Sequence, residues 1–355
     1  MITNAKILIF FIGSYTQMIS PTFGGDGRGI YTMSLNTETG EVNVLHIKQA
    51  TNPSYIALSD DSNFLYSITE VSQEEEPVVQ AYKIKEDFSL EFANSELIDG
   101  NYPCHILYTS KGVLVSCYGS GNVLQFPVLP SGEVSESIAN HKHSGFGVNP
   151  DRQEKPHAHQ AAIHPNGIDV FVSDLGIDML KAYKFSGDSL VINENNDVSV
   201  LTGGGPRHMV FNENGKLGYV LNELTGVVSV IEEKKGKFNV VNSFNSLPSS
   251  YRGQPASSAI RIHPSGKYLY AANRIFEAIT IFKIENDELQ PIDYKYTEGE
   301  TIREFNISPD GNWLIAAHQN SDDLVVYQIG VDGKLTEKFR TKEIQSPVCI
   351  AFKNE

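Results

Sequence analysis

The sequence predicts an all-β fold, a seven-bladed β-propeller closed by pairing of its N- and C-terminal strands. Three observations carry this. A strand–turn–strand unit recurs along the chain. Its glycine-containing turns at Gly167, Gly215, Gly266 and Gly311 are 48, 51 and 45 residues apart, the period of a four-stranded blade. No long stretch shows the 3.6-residue periodicity of an amphipathic helix.

The units follow in order. The paired first and second strands read YIALSDDSNFLYSI (55–68), HILYTSKGVLVSCY (105–118), AAIHPNGIDVFVSD (161–174), MVFNENGKLGYVLN (209–222), AIRIHPSGKYLYAAN (259–273) and EFNISPDGNWLIAAH (304–318). Turns such as HPNG, HPSG and SPDG supply proline for a fixed φ and glycine for a positive one. Third strands follow as VVQAYKI, NVLQFPV, MLKAYKF, VVSVIEE, AITIFKI and LVVYQI. A more variable fourth strand comes next, introduced by turns such as DGKL (332–335). The seventh unit comes from both ends of the chain: PVCIAF (347–352) as first strand, ILIFFIGSY (7–15) as second and GIYTMSL (29–35) as third. Such a closure removes the free sheet edges of an open array. No linker divides the chain, so residues 1–355 read as a single domain. SQEEEP (72–77) and NHKHSGFGVNPDRQEKP (140–156) read as loops between strands.

Composition narrows the function classes. Lys plus Arg is 28 and Asp plus Glu is 43, giving a formal charge of −15. A chain this acidic lacks the basic footprint that nucleic acids and anionic membranes require, so neither is an expected partner. An anionic ligand then needs a few arginines concentrated locally. Three cysteines, Cys104, Cys117 and Cys349, are too few and too odd for a disulfide framework and fit a reducing cytoplasm. The apolar run ILIFFIG (7–13) is too short for a membrane span and reads as a buried strand rather than a signal peptide. No motif specifies an oligomeric state.

Propeller topology says where chemistry can gather. In each unit the start of the first strand and the end of the second lie at one face, near the axis, so residues remote in sequence converge there. Starts of first strands carry His157 and His159, Arg207 and His208, and Arg303. Ends of second strands carry Ser14 and Tyr15, Glu70, Asp174, Asn222 and Glu223, Asn273 and Arg274, and His318. His164 and His263 belong to the opposite turns, and their repetition marks a structural role. His157 and His159, at i and i+2, could share a metal, but no carboxylate or cysteine set completes a tetrahedral site, so no metal is expected. A satisfied buried histidine is the bland alternative for His159. Inter-blade ion pairs are the bland alternative for Arg207, Glu223 and Arg274. Gly203-Gly204-Gly205-Pro206 reads as a flexible approach to Arg207 that lets backbone come close to a ligand. Arginines on one face suit a carboxylate or phosphate ligand. A carboxylate and a histidine beside them can act as base and acid. With no GxSxG elbow, attack by water or an intramolecular group fits better than a covalent intermediate.

The motifs GSYT (13–16), PHAH (156–159), SDLGID (173–178), GPRHMVFNENGKLGYVLNEL (205–224), HPSGKYLYAANR (263–274) and REFNISPDGNWLIAAH (303–318) resemble those of the lactonase-type seven-bladed propellers, in order and over nearly the whole chain. The resemblance implies a catalytic set of His159, Arg207, Glu223 and Arg274. Ser14, Tyr15, His157, Asn222, Arg303 and His318 are expected as substrate-binding neighbours. It implies hydrolysis of 6-phospho-D-glucono-1,5-lactone, a small anionic sugar lactone, with no cofactor. One or two of Arg207, Arg274 and Arg303 would hold the phosphate. Another arginine or His159 would face the oxyanion, and Glu223 or His159 would activate water. The long segments 140–155 and 245–258 border the pocket side, where substrate identity is set. The same family closes lactone rings on unsaturated dicarboxylates, so another lactonase or a lactonising cyclase is an alternative, as is a propeller that only binds a partner.

Overall fold

The structure, a computed structural model, describes residues 6–354. Among these residues, seven antiparallel sheets of four or five strands stand around a common axis. Blade 1 comprises Ile56–Leu58, Phe64–Ile68, Val78–Ile84 and Leu90–Leu97. Blades 2 to 6 repeat that order, with inner strands Pro103–Thr109, Ala158–Ile163, Pro206–Phe211, Ser257–Ile262 and Ile302–Ile307. In blade 7 the inner strand is Pro347–Phe352, paired antiparallel with Ile7–Ser14, and Ile30–Asn36 and Val42–Lys48 lie outside it. The strands Ile7–Ser14 and Pro347–Phe352 therefore share one sheet, as the apolar runs near both termini predict. Each inner strand packs on the inner strands of the blades before and after it, and Pro347–Phe352 packs on Ile56–Leu58 to close the ring.

The alternation of each strand presents apolar residues to both faces of a blade, and each face meets its neighbour. Among the described residues seven apolar clusters result, one per blade interface. For example, Tyr66, Ile68, Val113 and Leu124 join blades 1 and 2, and Leu8, Phe10, Trp313 and Ile315 join blades 7 and 6. The HPxG turns add a polar latch. His164 Nε2 lies 2.9 Å from the Gly215 carbonyl of the next blade, and His263 Nε2 lies 2.8 Å from that of Gly311. Their predicted structural role thus has a concrete partner.

Three local features differ from expectation. Residues 140–142 of the supposed 140–156 loop belong to Ala139–Lys142, the outer strand of blade 2, because Val123 and Leu124 pair with His141 and Asn140. Within the loop 72–77, Gln73–Glu75 forms a turn of 3₁₀ helix. Between the second and third strands of blade 7, Met18–Ser20 and Phe23–Gly24 make a small hairpin that no repeat position announces.

Candidate active site

Two irregularities at the entrances of the inner strands build the site. The first is a β-bulge. In blades 2, 3, 4 and 6 the ladder skips one residue between Pro103 and His105, Ala158 and Gln160, Pro206 and His208, and Ile302 and Glu304. A bulge leaves its extra residue out of the ladder and re-aims the side chain. The extra residues are Cys104, His159, Arg207 and Arg303, and all four line one cavity.

The second is a ring of backbone hydrogen bonds just past the second strands. The N–H groups of Tyr15, Glu70, Tyr118, Leu175, Glu223, Arg274 and Gln319 donate to the carbonyls of Ser346, Asn52, Tyr102, His157, Gly205, Ala256 and Thr301, at 2.7–3.1 Å. Gly205 makes this turn with φ +63°, where a Cβ would strike the Leu224 side chain. Glu70, Tyr118, Glu223, Arg274 and Gln319 of this ring line the same cavity. Its volume is about 670 Å³, the size of a small-molecule site.

At its centre, Glu223 is gripped by three guanidinium groups. Arg152 Nη2 donates to Oε1 at 2.6 Å; Arg274 Nη2 and Arg207 Nε lie 3.0 and 3.2 Å from Oε2. Burial opposes the charge on Glu223. Arg274, Arg152 and Arg207 outweigh it and hold the carboxyl far below the usual range. One carboxylate among three guanidinium groups leaves a local positive excess inside a chain of formal charge −15. Arg207 is anchored from below: Nη1 donates to the Ser258 carbonyl at 2.5 Å and lies 3.1 Å from His208 Nε2. Burial, with Arg274 and Arg303 nearby, pushes its pKa down to about 10.

His159 is buried, its ring 5.2 Å from that of His208, and its Nδ1 has no hydrogen-bond partner in the protein. Burial first, and Arg207 second, depress its pKa well below the ordinary imidazole value, so it is neutral near pH 7. A chain of polar groups stands beside it. Arg303 Nη2 donates to Tyr15 Oη at 2.9 Å, and Tyr15 Oη donates to Glu70 Oε2 at 2.9 Å. The Arg303 guanidinium also lies 4.9 Å from the Phe23 ring centroid. Burial raises the Glu70 pKa more than Arg303 and Tyr15 lower it.

Of the sequence-derived candidates, the structure brings His159, Arg207, Glu223, Arg274 and Arg303 together on the cavity wall, with Tyr15 beneath them. It places four others elsewhere. Ser14 Oγ donates to the Gly29 carbonyl at 2.7 Å. Asn222 Nδ2 donates to the Val227 carbonyl at 2.8 Å. His318 Nδ1 lies 3.2 Å from Asp323 Oδ1. These are the last residues of their strands, and the pleat turns them away from the axis, whereas the next residue, as at Glu223, faces it. His157 stacks on Tyr118 at 4.3 Å, with Nδ1 2.9 Å from the Tyr118 carbonyl; it backs a wall residue and does not line the cavity. The glycine run before Arg207 is not a free approach to ligand either. Asp178 accepts from the N–H groups of Gly203 and Gly205 at 2.7 and 2.9 Å and pins it.

Sequence reasoning missed Arg152, Tyr118 and Phe23. Tyr118 obeys the strand-end rule and was within reach of it. Arg152 lies in the segment expected to border the pocket, but no period marks it.

Comparison with known proteins agrees with this architecture. The family model "Lactonase, 7-bladed beta-propeller" matches residues 9–352. The chain is 32% identical over 353 residues to the 6-phosphogluconolactonase of Bacillus subtilis, covering 97% of this chain and 98% of that one. It is 32% identical over 340 residues to the 6-phosphogluconolactonase of Formosa agariphila, covering 92% and 94%. Among solved structures, a Bacteroides fragilis protein provisionally named 6-phosphogluconolactonase superposes with a TM-score of 0.90 at 29% identity, covering 98% of both chains. A periplasmic gluconolactonase of Pseudomonas aeruginosa shares the fold, with a TM-score of 0.91 at 24% identity over 98% of this chain and 99% of that one. The chain belongs to the lactonase family of seven-bladed β-propellers.

Proposed function

We propose that this lactonase hydrolyses 6-phospho-D-glucono-1,5-lactone to 6-phosphogluconate. The observation that carries the reading is the cluster of three guanidinium groups around Glu223, beside a neutral histidine, in a cavity of small-molecule size. The names of the relatives from Bacillus subtilis and Formosa agariphila support the substrate.

The roles follow from depth. The Arg152 side chain is 41% exposed and that of Arg274 17%, so these two stand nearer solvent and take the phosphate. Guanidinium forks match phosphate oxygens and hold them with charge-assisted bonds. The Arg207 side chain, 4% exposed, sits deep and faces the lactone carbonyl. There its donors stabilise the oxyanion that forms on attack, and anchoring by Ser258 and His208 removes the cost of reorganising them. Glu223 remains ionised and orders the three arginines; a carboxylate so firmly held is a poor proton acceptor. His159, neutral and with Nδ1 unpartnered, accepts the proton as water adds to the carbonyl carbon. When the tetrahedral intermediate collapses, the imidazolium returns that proton to the departing ring oxygen. Water's hydroxyl stays on the carbonyl carbon, and no proton is left over. The reaction belongs to a reducing compartment such as the cytoplasm, where the three buried free thiols remain unpaired.

A comparison of substrates tests the reading. The expected outcome is kcat/KM for the phosphorylated lactone well above that for glucono-1,5-lactone. Preference for the unphosphorylated lactone, or ring closure of a muconate without lactone hydrolysis, contradicts it.

A further inference from the structure

Hydrolysis needs a place for water as well as for the lactone, and a second, smaller chamber lies under the main cavity. Its lining includes Tyr15, Tyr55, His208 and Glu304, and it shares Glu70, Cys104, His159, Arg207 and Arg303 with the main cavity. About 10 Å³ of it is open to the centre of a water molecule, room for one. The walls are polar. Glu70 and His159 are each more than nine-tenths buried, and His159 Nδ1 has no partner in the protein. A buried polar atom without a partner is destabilising unless water satisfies it.

We infer that this inner chamber is the binding site of the attacking water, with Glu70 as a further catalytic residue that orients it against His159. The inference rests on the hydrolytic reading of the site above. His208 and Glu304 line the far side of the chamber, but of its carboxyl and imidazole groups only Glu70 and His159 are shared with the main cavity, so a water held between these two is the one that faces the lactone. This water donates one hydrogen to the Glu70 carboxylate and the other to His159 Nδ1, which leaves an oxygen lone pair for the lactone carbonyl in the outer cavity. On attack, the hydrogen facing His159 transfers as a proton, and the hydrogen on Glu70 stays with the new carboxyl group. Tyr15 and Arg303 hold Glu70 in place through the 2.9 Å bonds that link the three side chains. Glu223 and Glu70 thereby divide the work. Glu223, saturated by three guanidinium groups, organises positive charge. Glu70, made a better acceptor by burial, handles water. A lactone approaching from the open face meets its nucleophile from below, so substrate and water do not compete for one space.

The test is the steady-state kinetics of Glu70→Gln and Tyr15→Phe on both 6-phosphogluconolactone and glucono-1,5-lactone, with 6-phosphogluconate affinity measured by calorimetry. Glu70→Gln is expected to lower kcat by about 10²-fold. KM and product affinity should stay within about threefold, because Glu70 touches water and not the sugar. Tyr15→Phe, which keeps the carboxylate but frees it to turn, should lose about tenfold in kcat alone. Thermal melting of both variants checks that the fold persists. If Glu70→Gln does not fold, Tyr15→Phe decides the matter. A kcat within threefold of wild type, or a rise in KM that matches the fall in kcat/KM, overturns the inference. If the wild type opens only the unphosphorylated lactone, the substrate reading fails while Glu70→Gln on that lactone still tests the water site. A wild type that opens neither overturns both.

Discussion

Glu223 Oε1 accepts a 2.6 Å bond from Arg152 Nη2, which ties the end of a second strand in blade 4 to the loop between blades 2 and 3. Arg152 also reaches Tyr118 Oη at 3.3 Å. A loop residue outside the repeat thus completes a site otherwise built from repeated positions. Its guanidinium remains partly exposed at the cavity wall.

Arg152→Ala is accordingly expected to act on recognition of the charged substrate. One charge-assisted hydrogen bond is worth about 1.5–3 kcal/mol, so KM for the phosphorylated lactone should rise about 10–100-fold. The values for glucono-1,5-lactone should change little. Steady-state kinetics on the two substrates check this, and equal losses on both place Arg152 in a purely structural role.

Removing Glu223 has a different signature. Glu223→Gln leaves Arg152, Arg207 and Arg274 crowded without their counter-charge. Breaking a buried ion pair in this way costs about 3–5 kcal/mol. Urea unfolding should show that loss. Millimolar inorganic phosphate should recover part of it, because an anion replaces the missing charge. Turnover should fall about 10²-fold or more as the arginines lose their order. Unchanged stability contradicts the clamp.

Acid should unfold the protein earlier than a generic chain. His105, His159 and His208 are all buried, and burial lowers their pKa values, that of His105 to about 3. Below pH ~6.5 the unfolded chain binds protons at these histidines and the folded chain does not, so stability is full above that pH and lost below it. For these three groups alone the slope approaches about 4 kcal/mol per pH unit, and the buried Glu70 and Glu304 carboxyls, whose pKa values burial raises, offset part of it. Glu223, held ionised, adds a further loss below its ordinary carboxylate value. Urea midpoints at pH 7.5, 6.5, 5.5 and 4.5 measure this; a flat profile across the first pH unit below 6.5 contradicts it.

How far the sequence carried the fold follows from the repeat. A blade must show two strands, a tight turn and a third strand to pack on its neighbours, and each of those demands leaves a pattern in apolar residues, proline and glycine. The terminal closure was legible because PVCIAF and ILIFFIGSY each match a position in that pattern. The site was legible more coarsely. The rule that entrances of inner strands face the pocket found His159, Arg207 and Arg303. It did not foresee the bulge that separates them from their neighbours, since a one-residue slip in pairing has no mark of its own in composition. The same blind spot put Ser14, Asn222 and His318 beside Tyr15 and Glu223, although one step along a strand reverses the face. The cavity residues Arg152 and Phe23 come from an irregular loop and a hairpin, where repeat arithmetic has no purchase.

The central claim is that an arginine-rich pocket organised around Arg207 and Glu223 opens a phosphorylated lactone. Its most direct test is hydrolysis of freshly generated 6-phosphogluconolactone, coupled to 6-phosphogluconate dehydrogenase, by the wild type and Arg207→Ala, with and without EDTA. The account predicts rapid wild-type hydrolysis that the chelator leaves unchanged, because guanidinium groups supply the positive charge, and a loss of about 10²-fold or more in the variant. A wild-type rate no faster than spontaneous ring opening, or full activity in a folded Arg207→Ala protein, contradicts it.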